Sequence, residues 1–370
     1  MIKDRDIIDK TVFITVMALT VVGIAMIYST SYIMALNKIN FNNDGYFFLK
    51  KQSVFLFAGI IGILVTMRIP YTIYKKPAPF LLLISFILLS MVFIPGLGIE
   101  AGGSRRWLKL GFFTFQPSEV GKLALIIYLA SLLSKKGENI KDFVHGFFPP
   151  VAVGIIMIVL LVREPDFGTA LSVGTIILLM MFVAGVKFRY LVSLGVLSLP
   201  IIYFMVIKVE YRLERLLSFM DPWKDPHGTG YQIIQSAVAF GSGGVWGVGL
   251  GDGRQKLFYL PEAHTDFILS VVGEELGLIG VSLIILLYLI LVVGGIVIAV
   301  RTSDPFGALL AFGITTLIGL QAVLNMGVVT GLLPTKGLTL PFISYGGTSL
   351  LMNMVGVGIL LSVSMTGRKE

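Results

Sequence analysis

The sequence contains no cysteine, and only 14% of its 370 residues are charged. The absence of cysteine excludes disulfide bonds, iron–sulfur clusters and thiol nucleophiles, and it leaves the redox compartment undetermined. Soluble domains average about 25% charged residues, so this composition argues against an ordinary soluble enzyme. With 56% hydrophobic residues and a mean hydropathy of +0.91, the chain is instead expected to cross a membrane several times.

The net charge of +8 would suggest a nucleic-acid partner if the protein were soluble. In a membrane protein it is explained by basic loops beside anionic lipid, or by sites for an anionic substrate. We therefore expect no nucleic-acid partner. The glycine-rich stretch GSGGVWGVGLGDG matches neither common phosphate-loop pattern, so we expect no nucleotide site either. Its glycines are interpreted as sites where backbone approaches backbone, or where a lipid chain lies close.

A helix needs about 20 mostly apolar residues to cross a bilayer. The segments of the chain that satisfy this are 11–34, 52–70, 77–95, 117–134, 147–163, 167–186, 188–208, 267–300, 307–331 and 342–364. They predict an all-α integral membrane protein with about ten transmembrane helices in a single domain, 1–370. The first segment is interpreted as a retained helix and not as a signal peptide. Segment 267–300 exceeds one span and is expected to tilt or project.

The longest polar region, about 208–266, is predicted to be a large extracytoplasmic loop between the seventh and eighth helices. An even number of spans places both termini on one side. Lysine and arginine are equally numerous on the two sides when every loop is counted; leaving out the long loop favours cytoplasmic termini. A surplus of cations on the outer side then needs a reason, and a phosphate-bearing ligand there would supply one.

The stretch GSRRWLKLGFFTFQPSEVGK, 103–122, combines arginines with a charged pair. Arg106 precedes a helix that should begin at Pro117, and Glu119 and Lys122 are adjacent on one face of that helix. Two interpretations are open. The pair can neutralise itself near the membrane interface, or it can orient a site and leave Arg106 for an anion. The short stretch REPDFGTA, 163–170, is interpreted as a turn between two spans.

The long loop begins with the spacing of an amphipathic helix, in which Arg212 and Arg215 are one turn apart. Farther along, Gln235 and Ser236 can either satisfy one another or hydrogen-bond a sugar. The stretch GLLPTKGLTLPFISYGGTS between the last two spans is rich in glycine and proline, which predicts an irregular loop that lines a cavity. Lys336 is its only cation.

The stretch PEAHTDF, 261–267, places Glu262 and Asp266 around His264, directly before a long apolar segment. Thr265 or Asp266 can cap the following helix. A carboxylate partly desolvated by neighbouring apolar residues can instead act as a general base with a raised pKa. The predicted outer side has too few histidines for a zinc site built from protein ligands alone. A site in which Mg²⁺ or Mn²⁺ also binds substrate phosphates is left open. The residues of this stretch alone do not decide between a helix cap and a catalytic base.

Five stretches together resemble the SEDS family of bacterial membrane proteins (shape, elongation, division and sporulation). They are GSRRWLKLG…FQPSEVGK, EPDFGTA, SFMDPWKDPHGTGYQIIQS, LPEAHTDFILSVVGEELG and NMGVVTGLLPTKGLTLPFISYGGTSL, in the family's order. The stretch VVTGLLPTKGL is more similar to the division branch than to the elongation branch. The resemblance implies a peptidoglycan glycosyltransferase of the bacterial cytoplasmic membrane that polymerises lipid II (undecaprenyl-pyrophosphoryl disaccharide-pentapeptide) on the outer face.

The resemblance also implies roles for particular residues. Asp266 matches the family's essential acid and is expected to be the catalytic base. The resemblance therefore favours a catalytic role for this residue over a capping role. It also matches Arg106, Glu119, Lys122 and Lys336 to other functionally sensitive polar positions. Their own positions in the sequence make Arg212, Arg215, Gln235 and Ser236 further candidates for substrate binding, and make Glu262 and His264 candidates that orient the carboxylate of Asp266 and set its pKa. Thr265 is expected to cap the helix and leave Asp266 free.

The expected partners are lipid II, membrane lipid, a class B penicillin-binding protein transpeptidase, and other membrane proteins of division or elongation. No cofactor is expected beyond a divalent cation. One rival function is a lipid II flippase, in which Glu119, Lys122, Glu274 and Glu275 would line a pathway through the spans. Another is an inactive scaffold. The concentration of polar residues in outer loops favours the enzyme over the flippase, and the intact Asp266 argues against the scaffold.

Overall fold

The computed structural model describes residues 2–37, 39, 43–101, 104–110, 113–135 and 137–366. Its helices, in chain order, are α1 (Ile2–Leu36), α2 (Phe47–Thr66), α3 (Ala78–Met91), α4 (Pro117–Ser134), α5 (Phe148–Arg163), α6 (Phe167–Val183), α7 (Phe188–Ile207), α8 (Glu210–Met220), α9 (Tyr231–Gly243), α10 (Ile268–Arg301), α11 (Pro305–Val329) and α12 (Gly347–Thr366). A helix lies at every segment predicted to span the membrane, and α8 and α9 belong to the long loop. The predicted helical membrane fold is confirmed.

Eight of the described helices are long and apolar enough to cross a membrane, whereas α3 and α6 are apolar but shorter. The number of crossings therefore stays a prediction. The helices differ in how deeply they are packed. In their most apolar windows, 78% of the residues of α4, 61% of α11 and 72% of α12 are buried, against none in α7. Helices α4, α11 and α12 therefore form the centre of the bundle, and α7 lies at its periphery.

Local sequence explains where several helices begin. Proline is the first residue of α4 and of α11, a position where its missing N–H costs no hydrogen bond. Asp304 caps α11 by accepting a hydrogen bond from the Gly307 backbone N–H at 3.0 Å. Asp166 caps α6 in the same way, with the Thr169 N–H at 3.2 Å. These caps end the preceding turns sharply, so that the connections between spans stay short.

A small antiparallel sheet between α3 and α4 was not predicted. Its strands are β1 (Gly98–Ala101), β2 (Ser104–Leu110) and β3 (Phe113–Phe115), in the order β1-β2-β3. Alternate residues of a strand point to opposite faces. In β2 the buried Ser104 and Leu108 therefore share a face with Arg106, while the exposed Arg105 points away. The sheet turns Arg106 toward the protein interior.

Helix α10 is broken near its start, and its tilt or projection from the membrane stays a prediction. Gly277 inside it has φ 65° and ψ −164°, a conformation essentially confined to glycine. The glycine-rich segment after α9 lies against this break: the Val248 N–H donates to the Glu274 carbonyl at 3.0 Å, and the Leu278 N–H donates to the Gly244 carbonyl at 2.9 Å. The interpretation that these glycines bring backbone against backbone is confirmed.

Candidate active site

The segment that carries Asp266 is fixed through its backbone. The carbonyls of His264, Thr265 and Asp266 accept hydrogen bonds from the Tyr345 N–H at 2.9 Å, the Ser344 hydroxyl at 2.6 Å and the Asn325 amide at 2.8 Å, respectively. The predicted cap by Thr265 or Asp266 is wrong: α10 begins at Ile268, and no side chain caps it. The Thr265 hydroxyl instead donates to Glu262, because a tight turn at residue 262 brings the two together.

The carboxyl group of Asp266 is left without a hydrogen bond or ion pair in the part of the chain that the structure describes, although its backbone is tied down. Burial raises the pKa of Asp266 to about 7, and the negative charge of Glu262 adds to the rise. The positive charges of Arg106 and Arg215 oppose it, and Asp166 contributes a smaller increase. A carboxyl group with a pKa near neutrality, held in a fixed position, is suited to accept a proton.

Arg106 reaches from β2 to the turn between α5 and α6. Its Nε donates to the Glu164 carbonyl at 3.3 Å, one terminal nitrogen donates to the Pro165 carbonyl, and Nη1 lies 4.0 Å from Asp166 Oδ1. A Cβ atom at Gly337 would lie 3.5 Å from both Arg106 Nη1 and Asp266 Oδ2. The guanidinium and the Asp266 carboxyl therefore face the same small space above Gly337.

Arg106 and Gly337 also line an open cleft of about 570 Å³, a volume that includes space open to solvent. The lining comes from four stretches of the chain: residue 106 and residues 165–168, 206–216 and 334–337. The lining residues used below are Arg106, Asp166, Arg212, Arg215, Lys336 and Gly337. Four of them are cations, all predicted from the sequence as substrate ligands, and the structure brings them together beside Asp266. The concentration of positive charge makes the cleft suited to an anion; binding by these residues stays a prediction.

The four cations differ in how far they are already engaged. The Arg212 guanidinium donates to the Met205 carbonyl at 3.0 Å and stacks on Phe167. Arg215 is exposed, and Lys336 is half-buried. Among the described residues neither Arg215 nor Lys336 has a hydrogen bond or an ion pair. Burial lowers the pKa of Lys336 from its ordinary value. Both side chains are therefore available to a ligand.

Two acids of the site, Glu164 and Asp166, were interpreted from the sequence only as parts of a turn. Asp166 is buried and accepts hydrogen bonds from the Thr169 N–H and hydroxyl while it faces Arg106. Glu164 is 0% exposed, and neither of its carboxyl oxygens has a partner among the described residues. The sequence does contain a signal for these two residues. The connection between the two spans is so short that a pair of acids within it is not expected to reach solvent.

The charged pair in α4, Glu119 and Lys122, lies away from the cleft. Lys122 Nζ donates to Glu119 Oε1 at 2.8 Å, and both side chains are buried. Of the two interpretations, the structure favours the self-neutralising pair, although it places the pair in the interior of the bundle and not at its edge. Neither residue lines the cleft. A direct substrate contact by Glu119 or Lys122 stays a prediction.

Gln235 and Ser236 on α9 are also outside the cleft. The Ser236 hydroxyl is bonded to the Ser270 hydroxyl at 2.7 Å and to the Val329 carbonyl, and it therefore links α9 to α10 and α11. Ser236 is buried, and its hydroxyl is already used within the protein. Gln235 is half-buried. Sugar binding by either residue stays a prediction.

Glu262 and His264 flank the proposed base in different ways. Glu262 is exposed, and its charge contributes to the raised pKa of Asp266. The His264 ring packs against Phe48 of α2 at 4.7 Å between centroids and against Tyr345 at 5.8 Å. His264 therefore anchors the segment to α2, while Glu262 acts on the base through its charge. Among the described residues no group of three or more histidines and acids is arranged to hold a metal ion.

Comparisons with known proteins give one result. The family model FTSW_RODA_SPOVE, described as cell cycle protein, matches residues 9–369. A probable peptidoglycan glycosyltransferase FtsW of Geobacter sulfurreducens (strain DL-1 / KN400) is 50% identical over 98% of this chain and 96% of its own length. Stage V sporulation protein E of Bacillus subtilis (strain 168) is 44% identical over 96% of both chains. A chain of a solved peptidoglycan synthase complex, which coordinates polymerization and crosslinking, matches with a TM-score of 0.79 and 30% identity, over 97% of this chain and 98% of that one.

Proposed function

The chain belongs to the FtsW, RodA and SpoVE family of cell cycle proteins and is a peptidoglycan glycosyltransferase; we propose that it polymerises lipid II with Asp266 as its general base. The observation that carries the proposal is the state of the Asp266 carboxyl. It has no bonding partner among the described residues, its pKa is raised to about 7, and it faces a cleft lined by cations. The division role of the FtsW relatives is part of the proposal.

In the proposed reaction, the 4-hydroxyl oxygen of the acceptor N-acetylglucosamine attacks C1 of the donor N-acetylmuramic acid. The hydroxyl proton passes to the Asp266 carboxylate as the new C–O bond forms. The bond between C1 and the phosphate oxygen breaks, and undecaprenyl pyrophosphate leaves with the electron pair. Attack from the side opposite the leaving group inverts C1 and produces a β-1,4 linkage. The activated donor supplies the free energy, so no nucleotide is needed.

The leaving diphosphate gains negative charge as its bond to C1 breaks, and cations placed around it stabilise that charge. Arg106 is held rigidly by two backbone carbonyls and faces the same space as Asp266. Lys336 and Arg215 have no hydrogen bond or ion pair among the described residues, and Arg215 makes only a cation–π contact with Tyr211 at 5.8 Å. We assign these three side chains to the diphosphate. Arg212, which already bonds the Met205 carbonyl, supports the wall of the cleft.

The polyprenyl tail needs an apolar path beside the charged cleft. Val206 of α7 lines the cleft, and Leu191 is the only buried residue in the described part of α7. A helix that leaves most of its apolar side chains uncovered faces lipid. We therefore place the tail along α7, with the headgroup at the Arg106 end of the cleft.

The position of the cleft in the chain supports a catalytic face outside the cytoplasm. Its residues come from β2, from the turn between α5 and α6, from the end of α7 with the following helix α8, and from the connection after α11. If each of the ten helices at the predicted spans crosses the membrane, all these connections lie on one side, opposite the termini. We propose cytoplasmic termini, an outward-facing cleft in the bacterial cytoplasmic membrane, and a class B penicillin-binding protein as the crosslinking partner.

We propose only a supporting role for a divalent cation, at the substrate diphosphate. In the described part of the chain no site offers three protein ligands, so Mg²⁺ or Mn²⁺ would share the substrate diphosphate with Asp166 or Asp266. When bound it would neutralise phosphate charge. The proton transfer assigned to Asp266 does not depend on it.

The rival flippase requires intramembrane charges that are free to line a pathway. The four residues proposed for that role are paired within the protein: Glu119 with Lys122, Glu275 with Lys256, and Glu274 with backbone N–H groups. These contacts do not favour transport. Polymerisation is the better-supported function.

The test uses the full chain purified with its transpeptidase partner, supplied with labelled lipid II. Wild type is expected to produce glycan chains. Asp266→Asn should reduce the rate by about 10²- to 10⁴-fold, the usual contribution of a general base, with no change in thermal midpoint. Undiminished polymerisation by the variant would remove Asp266 from its role. Lipid scrambling by wild type without polymer would favour the flippase.

A further inference from the structure

Glu164 is a buried acid at the cleft that the proposed mechanism leaves unused. It lies at the end of α5, it is 0% exposed, and both of its carboxyl oxygens are without a partner among the described residues. An ionised carboxylate buried in this way would lose its hydration and gain no hydrogen bond in return, which is strongly unfavourable. The geometry therefore favours an uncharged carboxylic acid.

The neighbouring guanidinium does not change this conclusion. Arg106 uses its nitrogens on the backbone carbonyls of residues 164 and 165, and its acidic neighbour is Asp166, 4.0 Å from Nη1. Asp166 also accepts two hydrogen bonds from Thr169, which stabilise its charged form. Two acids therefore lie beside one cation, and only one of them has the bonds of a carboxylate.

The charged groups that act on the Glu164 carboxyl come from two elements. Burial is the largest influence and raises the pKa of Glu164 to about 8; Asp166, from the same turn, raises it further, and Arg106 of β2 opposes the rise. At neutral pH the acid keeps its proton. The turn then carries a single negative charge, which Arg106 balances.

We propose that Glu164 is a positioning residue for the diphosphate, held uncharged so that the Arg106 guanidinium has only one anionic neighbour and can attract the ligand. The inference rests on the proposed function, since it takes the anion to be the diphosphate of a lipid-linked sugar. Ionisation of Glu164 would place a second negative charge behind Arg106. The cleft would then attract a diphosphate less strongly, without any change in the fold.

The direction and size of the effect follow from electrostatics. Below the pKa of Glu164 the acid is neutral and affinity is full; affinity falls as the pH rises through about 8. One added charge at roughly 10 Å from the ligand in a partly solvated cleft should weaken binding by about tenfold. A residue with a purely structural role would not produce this dependence on pH.

The experiment measures binding of a short-chain polyprenyl diphosphate N-acetylglucosamine to the full chain in nanodiscs. This probe is a diphosphate diester, so its own charge is constant from about pH 6.5 to about pH 9.5. All chains in this binding test carry Asp266→Asn, because Asp266 itself ionises near pH 7 beside the cleft. The parent chain, which keeps Glu164, should lose about tenfold in affinity over that interval. In this background Glu164→Gln, which is permanently neutral at residue 164, should bind as its parent chain does at neutral pH and keep that affinity at alkaline pH.

Two further variants make the test specific. Glu100→Gln removes the same charge from an exposed position on the neighbouring strand β1, where Glu100 pairs with Arg105; it should retain the decline of the parent chain. Glu164→Met is uncharged, close in volume and free of buried N–H groups. It should give the flat profile even if Glu164→Gln folds poorly, as judged by thermal midpoint.

Several outcomes would overturn the inference. A decline that persists in both Glu164 variants would assign it to another group, and a parent-chain affinity independent of pH would show that Glu164 does not act on the ligand. If wild type polymerises lipid II in either case, the proposed function stands while this inference fails. Absence of probe binding at every pH, together with absence of polymerisation, would remove both.

Discussion

Two pairs of acids differ in how their carboxyl oxygens are bonded: Glu274 and Glu275 within α10, and Asp266 and Glu164 beside the cleft. Within the helix, Glu275 accepts hydrogen bonds from the Ser29 hydroxyl at 2.8 Å, the Lys256 ammonium at 2.7 Å and the Gly251 N–H at 3.0 Å. Glu274 accepts from the backbone N–H groups of residues 254 and 255. Both side chains are buried.

The two acids beside the cleft, Asp266 and Glu164, show the opposite arrangement. Asp266 and Glu164 have no hydrogen bond to their carboxyl oxygens among the described residues, and the pKa of each is raised, to about 7 and about 8. Leaving a buried polar group unsatisfied costs about 1–3 kcal/mol, and more for a charged group. The comparison shows that acids of the same chain can serve opposite purposes. Bonded acids hold the loop after α9 against the broken helix, and unbonded acids are available to a ligand and a proton.

Substitution in the bonded pair of acids should have the largest effect on stability. Glu275→Gln leaves the buried Lys256 ammonium without its anion, and such a loss costs about 3–5 kcal/mol. We expect a clear fall in the thermal midpoint of unfolding, measured in detergent. Polymerisation per folded molecule should stay close to wild type at low temperature.

The double variant Glu275→Leu with Lys256→Met is the matched control. It removes both charges and replaces them with apolar groups, so it should recover most of the lost stability. If Glu275→Gln instead abolished polymerisation without lowering the thermal midpoint, the bonded pair of acids would belong to the catalytic machinery and the contrast between the two pairs would collapse.

The second prediction concerns the cation that faces Asp266. Arg106→Lys keeps the charge but cannot span the two backbone carbonyls of residues 164 and 165 as the planar guanidinium does. We expect kcat/KM for lipid II to fall by about 10- to 100-fold, because a displacement of about 1 Å in a catalytic group has effects of this size. Thermal stability should change little.

Arg105→Lys is the control for this change, since Arg105 is exposed on the other face of β2 and pairs with Glu100. It should leave kcat/KM unchanged. Equal losses from the two substitutions would mean that the sheet responds to any change in its arginines and that Arg106 has no special place in the cleft.

The smallest effect is predicted at Gly337. An added Cβ would lie 3.5 Å from Arg106 Nη1 and from Asp266 Oδ2, an ordinary contact distance that the fold can accept. Gly337→Ala should therefore change the free energy of unfolding by no more than about 0.5 kcal/mol. It narrows the space shared by base and cation, so KM for lipid II should rise several-fold. Gly346→Ala, whose Cβ would meet Thr339 and Ser349 at similar distances, is the control.

Much of the fold and part of the site could be predicted from the sequence. Apolar length located the spans, because membrane crossing requires a run of apolar residues that local sequence displays directly. The cations Arg106, Arg212, Arg215 and Lys336 stood out because charge is rare in this chain. Asp266 was singled out by its place before an apolar run, and the choice of catalysis over capping came from the family resemblance.

The remainder depended on contacts between distant segments. The sheet that turns Arg106 inward is too short to show a clear alternating pattern, and the break at Gly277 becomes apparent only beside the segment after α9. Glu164 and Asp166 appeared to be turn residues because the partner of that turn, Arg106, is remote in sequence. The cap expected at Thr265 failed because the local turn at Glu262 took its hydroxyl.

The central claim is that Asp266 accepts the proton, and the dependence of kcat/KM on pH tests it most directly. A base whose pKa is raised to about 7 is protonated and inactive at lower pH, so the wild-type kcat/KM should rise about tenfold per pH unit up to pH 7 and then level off. Above about pH 8 the ionisation of Glu164 should lower it again. Asp266→Asn should give a residual rate without this rise. A wild-type rise centred near pH 4, the ordinary range of an aspartic acid, or a rise at pH 7 that persists in Asp266→Asn, would contradict the account.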